Sequence, residues 1–397
     1  MRLLATAYAC EPNRGSEPGA GWALARSLAS FADTHVITRT GYREAIEAEL
    51  PHIPERDSLH FHYVQLPRRA AFYKKGQRGI RLHYILWLRA AHAVANELSG
   101  RHDFDAAWHL TMANAWLGSP GGPDGMPFIY GPVGGGVVPP AGLLLSLGPR
   151  GMAYEGTRLA MRAGFRYLNP MARSAVKRSS AVLVQNPDTA AFLPRKQRGK
   201  ALVFQNALFP GNPPGTRPSG SRPRVALFAS RLLAWKGAHL AVGALEYAPA
   251  WRLIICGDGP DGARLRRIVE RSPARERIEL RGAVSRDEVL RTMREEAGAF
   301  ILPSLHDDSP LAVAEAVASG LPVVCLDRGG PPIVAGGAGI AVEAAGRRVT
   351  EQRLANALEA SLDLEIPTDE AARLSLAQAS DRLASIVKSV LREPAPA

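Results

Sequence analysis

The chain opens on an unbroken apolar run, Leu3-Leu4-Ala5-Thr6-Ala7-Tyr8, which reads as a buried strand rather than a half-exposed, alternating one. A loop containing Pro and Gly follows, then an apolar-periodic stretch over about 20–30 that predicts a helix, then a second run at His35-Val36-Ile37-Thr38. Strand, loop, helix, strand is the beginning of a parallel α/β unit. Similar runs predict strands at 60–65, 106–109, 128–131 and 181–185, with helical material over 80–98 and 154–178. Residues 210–220, Pro-Gly-Asn-Pro-Pro-Gly-Thr-Arg-Pro-Ser-Gly, oppose regular structure and mark a boundary. Beyond it a second series begins, with apolar runs at 225–229, 251–256, 278–281, 299–302 and 323–326 separated by helical segments. Such a doubly wound sheet binds ligands beyond the carboxyl ends of its strands. From Arg353 to Leu391 the pattern is helical with a break at Pro367, and 393–397 reads as a frayed tail. The expected organisation is an N-terminal domain 1–209, a linker 210–223, a C-terminal domain 224–375, and a helix with tail, 376–397, packing back on the N-terminal domain.

Composition narrows the class. A chain of 397 residues fits two domains of roughly 150–200 residues each. The three cysteines, Cys10, Cys256 and Cys325, sit in or beside apolar runs, so no disulfide framework is implied and a reducing cytoplasm suits the chain. The first residues lack a signal-peptide core, and no apolar stretch approaches the ~18–20 residues of a membrane span. A cytoplasmic protein, peripheral at the inner face of the plasma membrane, is expected. The net charge of +12 is unevenly spread: seven Arg or Lys and no acid between Arg68 and Arg89, and eleven against two acids from Arg150 to Lys200. That asymmetry points to an anionic partner. Nucleic acid is the weakest reading, since no zinc-finger spacing or RNA-recognition motif accompanies the charge. Apolar neighbours, Phe72 and Tyr73 beside Lys74-Lys75 and Leu143-Leu144-Leu145 before the second run, suit an anionic bilayer, where each basic residue is worth ~1 kcal/mol.

The most informative stretch is 303–324. Ser309 reads as the cap of a helix over 310–319 that has Pro310 in its first turn and stops at Gly320 and Pro322. Ser309, Pro310 and Leu311 then lie at a helix start directly after the acidic loop His306-Asp307-Asp308, where backbone amides offer a site for phosphate oxygens or sugar hydroxyls. Glu315, inside an apolar helix, requires a polar ligand or a basic partner. Arg231 and Lys236 follow the 225–229 strand, five positions apart, and as fixed charges can stabilise a departing diphosphate without a metal ion. Gly257 and Gly259 mark a tight turn after the next strand, and Gly329-Gly330 another.

In this order these stretches resemble the GT-B fold retaining glycosyltransferases of the large glycosyltransferase family 4 type, which includes sucrose synthase-like and lipopolysaccharide glucosyltransferase-like enzymes. The resemblance implies two Rossmann-like doubly wound domains facing a central cleft, an acceptor-binding N-terminal one and a donor-binding C-terminal one. The family has two acidic residues with seven others between them, matched by Asp307 and Glu315. Glu315 would then bind the nucleotide ribose, and Asp307, in place of the usual glutamate, would approach the donor-sugar hydroxyls, alone or with Asp308. Gly15 and Gly19 match the first loop, which reaches the donor diphosphate, with Glu17 facing the acceptor or fixing that loop. His109, at a strand end with Thr111 beside it, matches a histidine close to the donor sugar. Gly134 and Gly135 match a loop on the acceptor side, and Ile333 stands where many relatives have glutamate.

The implied reaction is retaining transfer of a sugar from a nucleoside-diphosphate sugar to a hydroxyl acceptor, such as a lipid-linked sugar. It belongs to polysaccharide, glycolipid or natural-product synthesis, with no cofactor and no essential divalent metal. Two alternatives stay open: a nucleotide-sugar epimerase or hydrolase of the same fold, and a weakly catalytic donor-binding component of a biosynthetic complex.

Overall fold

In the computed structural model, residues 1–67, 79–208 and 222–392 are described. The basic run 68–78, most of the expected linker 210–223 and the tail 393–397 lie outside them. The apolar runs become two parallel sheets. The first orders its strands β3-β2-β1-β4-β5-β6-β7, from β1 (Arg2–Thr6), β2 (Asp33–Arg39), β3 (Leu59–Val64), β4 (Ala106–His109), β5 (Phe128–Val133), β6 (Ala181–Val184) and β7 (Ala201–Val203). The second orders β10-β9-β8-β11-β12-β13, from β8 (Val225–Ala229), β9 (Arg252–Cys256), β10 (Ile278–Gly282), β11 (Ala299–Leu302), β12 (Val323–Leu326) and β13 (Gly339–Val342). Both are doubly wound, Rossmann-like sheets.

The lack of alternation in the first run has a direct cause. Leu3, Ala5 and Ala7 enter one apolar cluster, with Trp22 and Leu28 of the helix Ser16–Ala29 and Leu383 and Val387 of the helix Leu376–Arg392. Leu4 and Tyr8 point the other way, to Tyr84 and Trp87 of the helix Ile80–Ser99. Successive side chains leave a strand on opposite faces, and both faces of this sheet are covered. Each such leucine contributes about 1.5–3 kcal/mol by burial.

The chain divides into two compact units: Met1–Gly136 with Met161–Pro210 and Leu376–Ala397, and Val137–Ala160 with Gly211–Ser375. Residues 137–160, grouped by sequence with the N-terminal domain, therefore pack in the C-terminal unit. The expected helix over 154–178 is two helices, Gly148–Leu168 and Pro170–Arg178. Asn169 breaks it by capping the second, its side chain accepting from the amides of Met171 and Ala172, with Pro170 in the first turn. Strands β7 and β13 were not anticipated. The first is a three-residue edge with Leu202 and Val203 exposed, and the second begins on glycine in a stretch with little apolar contrast.

Candidate functional site

Strand order reverses once in each sheet, between β1 and β4 in the first and between β8 and β11 in the second. Loops leaving those carboxyl ends diverge, and the space between them is where such sheets hold ligands. In the C-terminal unit the two loops are 230–237, with Arg231 and Lys236, and 303–310, with His306, Asp307, Asp308 and Ser309.

The loops are locked together. A short 3-10 turn, Ala234–Lys236, ends on Gly237 at φ 79°. A β-carbon there would stand 2.1 Å from the carbonyl oxygen of Pro303. Only glycine permits that backbone conformation at that approach. Leu305 N–H donates to the Trp235 carbonyl at 2.8 Å. Lys236 Nζ donates to Asp307 Oδ2 in an ion pair with both side chains largely buried, and it also lies over the Trp235 ring, 4.7 Å from its centroid. Two residues singled out separately in the sequence thus meet.

Behind this pair stands a second one that the sequence did not disclose. The His306 ring stacks on Trp235, with centroids 4.3 Å apart, and its Nε2 is 2.6 Å from Glu155 Oε1. Arg158 Nε donates to the other oxygen of Glu155 at 2.9 Å, and its terminal nitrogen donates to the Val137 carbonyl at 3.0 Å. Burial pushes the Glu155 carboxyl up, but His306 and Arg158 together outweigh it and hold the group below its ordinary range. Glu155 and His306 are 151 residues apart, so no local motif signals them.

The glycine loops serve these contacts. Gly257 has φ 148°, and a β-carbon on it would be 1.9 Å from the Ser230 carbonyl oxygen. Gly259 similarly abuts the Leu232 carbonyl. Gly330 N–H donates to the Asp307 carbonyl at 2.8 Å, and a β-carbon on Gly330 would be 1.9 Å from the Asp308 carbonyl. The loops after β8, β9, β11 and β12 therefore bear on one another.

One expectation changes. The helix is Leu311–Ala318, and the residue at its cap position is Pro310, whose ψ of 111° is extended, rather than Ser309. The Arg231 side chain is exposed and makes no ion pair among the described residues. Glu315 is buried as expected, and its partner is Arg286, which sequence reasoning missed; Arg286 Nε donates to Oε1 at 2.6 Å. Burial raises the Glu315 carboxyl pKa, with Arg286 opposing.

In the N-terminal unit the loops after β1 and β4 are also tied. Ala9 N–H donates to Thr111 Oγ1 at 3.0 Å, and Met112 N–H donates to Glu17 Oε1 at 2.6 Å, so Glu17 braces the loop after β4. His109 ends β4 fully buried, with Nε2 2.8 Å from the Tyr84 hydroxyl. Burial lowers its pKa to about 4, so the ring is neutral at neutral pH. Gly134 pairs with the same loop through Ala113 and Ala115, and Gly135, at φ 92°, abuts Asn114 and Trp116. Gly15 precedes the first turn of the helix Ser16–Ala29 with open space around it, while a β-carbon at Gly19 would strike the Arg14 carbonyl at 1.9 Å.

Residues 216–375 match the family model "Glycosyl transferases group 1". A protein of Escherichia coli strain K12 named as a colanic acid biosynthesis glycosyltransferase, WcaL, is 32% identical over 163 residues, 38% of this chain and 40% of that protein. One component of the phosphatidylinositol N-acetylglucosaminyltransferase of Arabidopsis thaliana is 32% identical over 141 residues, 34% of this chain and 31% of that protein. The matched part spans less than half the length of these curated relatives. In structure, Anabaena HepE solved with UDP and glucose aligns at a TM-score of 0.55 and 16% identity, covering 98% of this chain and 99% of that one. The lipopolysaccharide outer core galactosyltransferase WaaB aligns at 0.62 and 11%, covering 98% and 99%. The chain thus has the GT-B fold, two Rossmann-like domains, and the family-model match falls within the second.

Proposed function

We propose that this chain is a retaining glycosyltransferase of the family 4 type, moving a sugar from a nucleoside-diphosphate donor to a hydroxyl acceptor. The observation that carries the reading is the meeting of Lys236 and Asp307 on the two loops at the reversal of the second sheet, beside the helix that holds Glu315. Lys236, with exposed Arg231, supplies positive charge for a diphosphate. Asp307 accepts hydrogen bonds from sugar hydroxyls, and Glu315, already oriented by Arg286, from a ribose. The bond from the anomeric carbon to the diphosphate breaks as that to the acceptor oxygen forms on the same face, and the acceptor proton passes to the departing diphosphate. In the N-terminal unit, neutral His109 and the loops fixed by Glu17, Thr111, Gly134 and Gly135 serve the sugar and acceptor, and Gly15 and Gly19 the diphosphate.

The names of WcaL, a colanic acid biosynthesis glycosyltransferase, and WaaB, a lipopolysaccharide outer core galactosyltransferase, favour a polysaccharide or glycolipid acceptor. No helix among the described residues is long and apolar enough to cross a membrane. Leu145 is 82% exposed and Tyr154 49% exposed near Arg150, which suits a peripheral contact with anionic lipid. Liposome flotation tests that contact, and failure to float at low salt rules it out.

A panel of nucleoside-diphosphate sugars screened by thermal shift, then by turnover, tests the function. A donor that stabilises the fold and is transferred, with the anomeric configuration retained in the first-formed product by NMR, is the expected result. Inversion sinks the mechanism. Donor consumption without any acceptor favours an epimerase or hydrolase.

A further inference from the structure

Four of the ten histidines gather at the amino-terminal end of the first sheet, away from the strand ends that carry the proposed site: His35, His60, His62 and His102. The clustering follows from strand periodicity. Asp33 and His35 are alternate residues of β2, and His60 and His62 are alternate residues of β3, so each pair shares a face. The strands pair in parallel with His35 opposite His60.

Asp33 Oδ1 lies 2.9 Å from His60 Nε2 and 3.9 Å from His35 Nε2, and all three atoms fall within 4.8 Å of one another. Bonds of about 2.0–2.1 Å in a tetrahedral zinc site put ligand atoms roughly 3.3–3.5 Å apart, so small side-chain rotations bring these three into place. Each ligand is also held from outside. Arg2 Nε binds Asp33 Oδ2 at 2.7 Å, leaving Oδ1 toward the histidines, and Oδ1 is a buried atom with no well-formed hydrogen bond. His35 Nδ1 is 3.0 Å from His62 Nε2. The tautomer in which Nδ1 donates leaves the Nε2 lone pair directed at Asp33, the arrangement by which an outer partner fixes a metal-bound imidazole.

We propose that Asp33, His35 and His60 form a binding site for a divalent cation of the zinc class, with His62 orienting His35 and solvent as the fourth ligand. Two imidazoles select zinc-like ions over magnesium or calcium, which prefer all-oxygen sets. Access is provided by His60 and Asp33, whose side chains are 45% and 34% exposed, while His35 anchors the site from beneath at 9%. The bound ion pins edge strand β3 to β2 and takes no part in sugar transfer.

The test uses the full chain, free of any histidine tag and stripped with a chelator, titrated with Zn2+ by calorimetry and followed by thermal unfolding. One equivalent binds and the unfolding midpoint rises. His60→Ala, at a half-exposed position that leaves the core intact, abolishes both effects, with folding checked by circular dichroism. His62→Gln keeps all three ligands and weakens binding 10–100-fold. Absence of zinc binding, binding unchanged in His60→Ala, or an equal response to Mg2+ overturns the proposal. None of these readouts depends on glycosyl transfer, so the site stands or falls separately from the proposed activity.

Discussion

Replacing Glu155 by glutamine keeps the volume of the side chain and removes its charge. Glu155 is 1% exposed, and its two oxygens accept from His306 Nε2 at 2.6 Å and Arg158 Nε at 2.9 Å. A glutamine has one acceptor oxygen, so it leaves one of these partners facing an amide N–H, and Arg158 loses its counter-charge. Removing one partner of a buried ion pair costs about 3–5 kcal/mol, and the hydrogen bond that survives puts Glu155→Gln near 3 kcal/mol. At roughly 2–4 °C per kcal/mol for a unit of this size, the unfolding midpoint falls by about 6–12 °C at pH 7.

The pH dependence has a fixed sign. The folded-state pKa of Glu155 lies below its ordinary value of 4.5, so the ionised carboxylate stabilises the fold above that value. This contribution is lost as pH falls through the folded pKa. Differential scanning calorimetry of both proteins from pH 7 downward should therefore show a gap that is steady near neutrality and narrows in acid. A gap under about 1 kcal/mol at pH 7, or one that does not narrow, would show that the pair does not hold this corner of the fold.

Three further outcomes are expected. Lys236→Ala lowers kcat by about 10²–10³-fold, the cost of one electrostatic contact to a developing charge, and a kcat within a few-fold of wild type removes Lys236 from the leaving-group site. Glu315→Gln weakens a charge-assisted hydrogen bond worth about 1.5–3 kcal/mol, which raises the donor KM ten- to a hundredfold in steady-state kinetics, and an unchanged KM excludes ribose binding at this residue. Leu383→Ala, at a fully buried position where the helix Leu376–Arg392 joins the apolar cluster of Trp22 and Leu28, costs about 2–5 kcal/mol in denaturant unfolding, and a loss below 1 kcal/mol contradicts the packing described.

Much of this architecture is legible in the chain because strands buried on both faces announce themselves as unbroken apolar runs, as at Leu3-Leu4-Ala5. The elements that escape notice lack that contrast, such as the exposed edge β7 and the glycine-led β13. The break at Asn169-Pro170 had a readable signal, a capping residue before a proline, but the helical pattern on both sides masks it. For the site, residue type and order single out Lys236, Asp307 and Glu315. Pairing is another matter: the Lys236–Asp307 contact, Arg286 beside Glu315 and the Glu155–His306 bond all join distant stretches of chain, and each depends on how loops and helices pack in the folded unit. The Asp-x-His and His-x-His strands are plain in the sequence, yet only their parallel register makes them one cluster.

The exchange of segments between the two units has a consequence for synthesis. The first unit holds the helix Leu376–Arg392, and the second holds residues 137–160. The ribosome therefore makes the first sheet well before the helix whose Leu383 and Val387 share an apolar cluster with Leu3 and Ala5. At about 5–20 residues per second, the roughly 170 residues in between take on the order of ten seconds or more. For that interval the nascent N-terminal unit lacks Ala379, Leu383, Val387 and Val390 of its apolar cluster, and a cut at the boundary near residue 210 gives two pieces that each lack a part of their own core.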